Sequence, residues 1–265
     1  MNTVYRENTS FEYTAGICNY RKHVVYDGND RQESIARLRV NVTFDDNKTT
    51  VPISKITQCV SEHPITLRTA WSLEELIDKI YDIHASDISI YIRMPLSFAC
   101  TSLCSGIESR IVYDTVFGLE YIQGKLIPHL GCTLPLVTVC PCSLASSAPF
   151  AHMQRMYCSF CLHSDTSLLL EDILPIVETC ASEKTYPIIK QVDEKEILRN
   201  AYNHASFAED VIKRMASSLH NTTSIEGFMV SVQSFESLHP HDIIACVAHN
   251  YTAFHSTRDI KTTEQ

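Results

Sequence analysis

Apolar residues fall on every second position at Leu38, Val40, Val42 and Phe44, with Arg39, Asn41 and Thr43 between them. A period of two places the apolar side chains on one face of an extended strand, so this stretch predicts a sheet with one buried face. The alternation returns at Ile88, Ile90, Ile92 and Met94, where Pro95 is expected to close the strand, and again at Phe228, Val230 and Val232. Between these strands the spacing becomes helical. Leu73, Leu76, Ile77, Ile80 and Ile83 follow the capping-box pattern Ser72-Leu-Glu-Glu75 and predict an amphipathic helix over 72–85. Ser206-Phe-Ala-Glu209 opens another, whose stripe is Phe207, Val211, Ile212, Met215 and Leu219. Strands at 110–121 and 157–162, and a helical segment over 168–180 that Pro175 opens or kinks, complete the pattern. Strands interleaved with helices, without glycine-rich turns between them, predict an α+β fold with antiparallel sheets rather than a doubly wound one. Only seven glycines occur, and neither GxGxxG nor a Walker pattern is present.

The two halves share this grammar, and 265 residues are enough for two modules at roughly 100–200 residues per domain. The first thirty residues mix polar and aromatic types without a period and are expected to form an irregular arm, with modules over 31–135 and 136–256. Asp45-Asp46-Asn47 is expected to turn. No apolar run approaches the roughly 18 residues of a membrane span, and the N-terminus lacks a secretion pattern, so a cytoplasmic protein is expected. The sequons at Asn8, Asn41, Asn47, Asn221 and Asn250 are discounted for the same reason. Eleven cysteines, an odd number, read as reduced thiols rather than a disulfide scaffold. A formal charge of -9 disfavours wrapping a nucleic acid backbone.

Three clusters carry residues suited to chemistry. Cys140-Pro-Cys142 follows the apolar run 134–139, where a strand should end, and a thiolate there suits a borderline-soft cation; a buried inert thiol is the blander alternative. His152 opens the next strand, twelve residues on. Glu236-Ser-Leu-His239-Pro-His241 follows the strand at 228–232, and an extended chain would point His239 and His241 to one side. Glu194 lies in a surface-type charged run, and Glu209 has a structural role as the third residue of a capping box.

Taken in order, Val139-Cys-Pro-Cys-Ser143, Ala151-His-Met-Gln-Arg155, Asp193-Glu-Lys195, Phe207-Ala-Glu-Asp-Val211 and Ser234-Phe-Glu-Ser-Leu-His-Pro-His241 resemble the signature segments of the type IB GTP cyclohydrolases. The match spans about residues 136–245, with looser agreement earlier, at 72–85 and Ser102-Leu-Cys-Ser-Gly106. The resemblance implies a tunnelling fold of two fused ββαα-type modules with helices on one face, associating so that active sites form at interfaces, with a homotetramer expected. It implies conversion of GTP and water to 7,8-dihydroneopterin triphosphate and formate with one divalent metal per site, Zn, Mn or Fe. It also implies metal ligation by Cys140, His152, Glu194 and His239 and anchoring of guanine by Glu209. A bound cation lowers the pKa of water from about 15.7 toward roughly 7, with His241 and Glu236 as candidates for proton transfer and Cys140 in the catalytic set. Arg155, Lys190 and Lys195 are the candidate triphosphate contacts. The chain departs from the family with Phe150 and Met153 where Gly and Asn are usual, and Leu144 where Lys is common. The alternatives are a related cyclohydrolase releasing a cyclic phosphate, a non-catalytic purine- or pterin-binding protein, and a closed structural zinc site.

Overall fold

The computed structural model describes residues 12–45, 50–164 and 168–251. Its elements run β1 (Glu12–Asp27), β2 (Arg31–Asp45), α1 (Ile53–Glu62), β3 (Thr66–Leu67), a 3-10 turn (Ala70–Leu73), α2 (Glu74–Ile83), β4 (Ile88–Thr101) and β5 (Glu108–Ile122). They continue as β6 (Lys125–Val139), α3 (Pro141–Ser147), β7 (Met153–His163), α4 (Leu170–Glu178), β8 (Glu183–Lys184), α5 (Gln191–Asn203), α6 (Ala208–His220), β9 (Gly227–Ser234) and β10 (Ile243–His249). The strands form one sheet in the order β10-β9-β7-β6-β5-β4-β2-β1-β3, with β8 paired to β6. The long strands are antiparallel to their neighbours. β6 joins the halves, pairing with β5 over 125–133 and with β7 over 130–139. The division expected after residue 135 therefore falls inside one strand of a continuous sheet.

Alternation builds the core. Leu38, Val40 and Val42 of β2, Ile88, Ile90 and Ile92 of β4, and Phe228, Val230 and Val232 of β9 are buried on one face. That face meets Ile56 and Val60 of α1, Leu76, Ile77 and Ile80 of α2, Ile173 and Val177 of α4, and Val211, Met215 and Leu219 of α6 in one cluster. Among the described residues no helix is long and apolar enough to cross a membrane.

Four expectations are corrected. Residues 12–27 of the supposed arm form β1, with Val24 and Tyr26 fully buried. Its alternation is hidden by a bulge: between Ile17 and Tyr20 the strand advances one residue more than β2, with Asn19 at φ 54, and this changes the phase of the inward positions. Pro95 does not close β4, which continues paired to β5 through Thr101. Pairing to β2 stops at Arg93, and beyond it Gln32 clamps Ser97, accepting from its N–H at 2.8 Å and donating to its carbonyl at 2.7 Å. Ser72 does not cap the long helix but accepts from the Arg68 amide at 3.0 Å in the preceding turn. Ser206 does not cap α6 either: Phe207 is the N-cap, and Asp210 accepts its amide at 3.4 Å. The pattern Ser-x-x-Glu and the pattern one residue on, ending in Asp210, compete for the same helix start, and the second prevails. The expected turn at Asp45-Asp46-Asn47 falls largely outside the described residues, as do the sequons at Asn8 and Asn47.

Candidate functional site

The buried stripes on the helix-covered face change from apolar to polar at one end of the sheet. On β6, Leu134 and Leu136 are followed at the same parity by Thr138 and then Cys140; on β7, Met156 is preceded by Gln154 and His152; on β9, Val232 is followed by Ser234 and then Glu236. Thr138 pairs with Gln154 in the β6–β7 register, and the Cys140 amide donates to the His152 carbonyl at 3.2 Å. Cys140 and His152 are thus cross-strand neighbours where the core runs out.

α6 supplies the opposite wall. The Ser206 amide donates to the Val139 carbonyl at 3.0 Å, and the Tyr202 hydroxyl donates to the Ala151 carbonyl at 2.9 Å, fixing the α5–α6 link beside the ends of β6 and β7. An open cavity of about 380 Å³ results, lined by Cys140, His152, Gln154, Glu209, Glu236, His239 and His241, with Thr138, Ser206 and Ser234 at its base. That lies within the size range of small-molecule sites. A much smaller cavity of about 20 Å³, near Trp71, His129 and His163, is lined by mostly apolar surface.

Each wall has a local cause. Cys140 is the N-cap of α3, with Pro141 at the first helical position, where its missing N–H costs nothing, and Ser143 donates its amide to Cys140 Sγ at 3.5 Å. His239 and His241 lie in the β9–β10 connection, exposed, with rings stacked at 5.2 Å and 20°, so the same-side expectation holds although the segment is not a strand. Glu209, freed from capping by Asp210, is exposed in the first turn of α6 and has no hydrogen-bond partner among the described residues. Its carboxylate faces the cavity available to a ligand.

Within one chain the cavity gathers Cys140, His152, Glu209, Glu236, His239 and His241, but not Arg155, Lys190, Glu194 or Lys195. Arg155 is exposed, and its odd position puts it on the face of β7 opposite His152 and Gln154. Glu194 and Lys195 are exposed on α5. Among the described residues no three His, Cys, Asp or Glu side chains approach closely enough to hold a metal ion. The donor types lining the cavity, two thiols, three imidazoles and two carboxylates, nonetheless fit a borderline cation such as Zn²⁺.

Thr138, Gln154 and Ser234 line the cavity without having been singled out in the sequence, and Asp193 supports its surroundings from outside it. Gln154 contacts His152 Nδ1 and Glu236 Oε1, each at 2.7 Å. Thr138 Oγ1 is buried with no partner among the described residues. Asp193, fully buried, accepts from the amides of Cys104 and Ser105 at 2.7 Å, from Ser105 Oγ at 2.6 Å and from the Lys190 amide at 2.8 Å, tying the β4–β5 loop to the start of α5. Burial pushes its carboxyl pKa up, but these hydrogen bonds outweigh that and hold it below the usual range. The usable signal for Thr138, Gln154 and Ser234 was parity: polar residues continuing a buried apolar stripe.

The model of the family described as type I GTP cyclohydrolase folE2 matches residues 12–245. The chain is 31% identical to GTP cyclohydrolase FolE2 of Fervidobacterium nodosum over 219 residues, covering 83% of this chain and 84% of that protein. It is 29% identical to GTP cyclohydrolase FolE2 of Nitrosospira multiformis over 216 residues, covering 82% of each. In fold it is similar to uricase from Arthrobacter globiformis, with a TM-score of 0.59 at 10% identity over 96% of this chain and 100% of that one. The architecture is the tunnelling fold. With matching segments from β1 to the beginning of β10, the chain belongs to the type I GTP cyclohydrolase folE2 family.

Proposed function

We propose that this chain is a GTP cyclohydrolase of folate or pterin biosynthesis, converting GTP and water to 7,8-dihydroneopterin triphosphate and formate. One observation carries the reading: a single open cavity joins a carboxylate without a hydrogen-bond partner among the described residues, Glu209, to two Cys, three His and a second carboxylate. Glu209 suits guanine because a carboxylate accepts from both the ring N1–H and the exocyclic amine, and adenine offers no such pair of donors.

The imidazole ring of guanine opens when water adds at C8 and the C–N bonds to C8 break, releasing that carbon as formate. We assign a divalent cation, Zn²⁺, Mn²⁺ or Fe²⁺, to Cys140, His152 and His239, and when bound it supplies the Lewis acidity that makes water nucleophilic near neutral pH. His241 and Glu236 move protons, from the attacking water and to the departing ring nitrogen. We assign Glu194, Arg155, Lys190 and Lys195 to a cavity completed by a neighbouring copy in a homotetramer. Among the described residues β10 pairs only with β9, and β1 pairs on its outer side only with the two-residue β3, which supports such assembly. We place the protein in the cytoplasm.

The test is incubation of chelator-stripped protein with GTP, with and without Mn²⁺ or Zn²⁺, following formate and the pterin after oxidation to its fluorescent form. Metal-dependent formate with neopterin triphosphate upholds the proposal. Formate with a cyclic phosphate moves the chain to the neighbouring activity, and no formate from folded protein overturns the proposal.

A further inference from the structure

We infer that Gln154 is a positioning residue that fixes the tautomer of His152, leaving His152 Nε2 unprotonated toward the cavity, and that it does so by being oriented against Glu236. The inference rests on the proposed cation site only in assigning Nε2 its ligand.

The argument is one of hydrogen-bond polarity. A carboxamide presents an acceptor at Oε1 and donors at Nε2, and the two cannot exchange roles without a flip. Gln154 Nε2 lies 2.7 Å from Glu236 Oε1 and 3.3 Å from Ser234 Oγ, which itself donates to Glu236 Oε1 at 3.3 Å. A flip would set Gln154 Oε1 against the carboxylate, acceptor against acceptor. The carboxylate therefore holds the amide nitrogen, and Oε1 is left facing His152 Nδ1 at 2.7 Å. An acceptor there requires Nδ1 to carry the proton. Ser237 Oγ, 3.4 Å from Nδ1, is a longer contact from a hydroxyl that can serve either tautomer.

Register explains why this device sits here. Gln154 occupies β7 between Thr138 of β6 and the end of β9, at the same parity as His152, so its side chain necessarily lies beside the imidazole. A free histidine in water favours the proton on Nε2, the opposite tautomer. Without Gln154 the ring would need to change its proton position before Nε2 could bind a cation. Partners of this kind on the far nitrogen of a ligating histidine typically contribute about 10–100-fold in metal affinity.

The experiment uses the full-length, metal-stripped protein with ¹⁵N-labelled histidine. The imidazole nitrogens of His152 are assigned by their loss in His152→Gln, and Zn²⁺ affinity is measured in parallel. The expected result is a proton on Nδ1 in the wild type, a shift toward the Nε2–H form in Gln154→Leu, and Zn²⁺ binding weakened about 10–100-fold. An unchanged thermal unfolding midpoint in Gln154→Leu controls for misfolding. A wild-type His152 protonated on Nε2, or a Gln154→Leu protein with unchanged tautomer and affinity, overturns the inference. A wild type that shows the lock, loses it in Gln154→Leu and binds no Zn²⁺ upholds the role of Gln154 and overturns the cation assignment instead.

Discussion

The Cys140 amide donates to the His152 carbonyl at 3.2 Å, making the two residues cross-strand neighbours just beyond Val139–Met153, the last pair of the β6–β7 ladder. Two residues twelve apart in sequence thereby present their side chains on one face, two residues beyond Thr138 and Gln154, and the motif needs no further element to bring them together.

Cys140→Ala therefore tests chemistry with little disturbance of structure. The thiol is half-buried and its backbone bonds survive substitution. Formate release from GTP is expected to fall on the order of 10²-fold or more, the scale of a lost positioned catalytic group, while thermal unfolding moves by no more than a few degrees. Loss of the folded state would instead mark a closed structural zinc site.

Glu209 and Asp210 are neighbours with separable roles. Glu209→Gln removes one of the two acceptors offered to guanine and is expected to lower kcat/KM for GTP about 10²-fold, through KM, without moving the unfolding midpoint. Asp210→Ala removes the acceptor of the Phe207 amide and is expected to destabilise α6 by about 0.5–1 kcal/mol with KM unchanged. Steady-state kinetics and denaturant unfolding on both variants check the pair, and a stability loss in Glu209→Gln would restore its capping role.

The sequence made the helix-and-strand order legible because burial on one face writes a period of two or 3.6 directly into residue type. It made Cys140, His152, Glu209 and His239 legible as ordered motifs. What it concealed has physical causes. A single-residue bulge at Ile17–Tyr20 changed the phase of β1, so alternation that is present in space is absent in a linear reading. Cap assignment failed at Ser206 because the helix begins one residue later, where Asp210 accepts the Phe207 amide although Phe207 has no capping side chain for the pattern to find. Gln154 was passed over because an amide has no distinctive chemistry until its two neighbours are known. Glu194 stayed ambiguous because an exposed helix position acquires meaning only from what packs against it.

His129 gives stability a pH dependence away from the site. It is buried with Glu120, Nε2 to carboxylate 3.2 Å but poorly aligned, while Nδ1 lies 2.9 Å from the Tyr251 hydroxyl, which donates to Cys161. Burial alone would push its pKa down, but the neighbouring Cys161 and Glu120 side chains outweigh this and raise it from 6.5 to about 9. With the folded value above the unfolded one, the stabilisation is complete below about 6.5 and is lost as pH rises through about 9. The unfolding free energy from urea titrations should fall across that window, by on the order of 3 kcal/mol in all. His129→Gln should abolish that slope and, by leaving Glu120 buried without its cation, cost about 3–5 kcal/mol at pH 7.

Ile244 tests assembly. β10 ends the sheet, bonded only to β9 among the described residues, and carries Ile244 at 78% exposure beside exposed Ile243. At the other end, among the described residues, β1 pairs on its outer side only with β3, at Val25 and Tyr26. An open, apolar edge strand invites pairing with another chain, and a lysine on such an edge opposes it. If β10 is the seam of the proposed homotetramer, Ile244→Lys should lower the molar mass seen by light scattering. Formate release should fall with it, since Glu194 and Lys195 would no longer reach a neighbouring cavity. An unchanged mass with full activity would place the seam elsewhere, whereas a lower mass with full activity would show that each chain completes its own site.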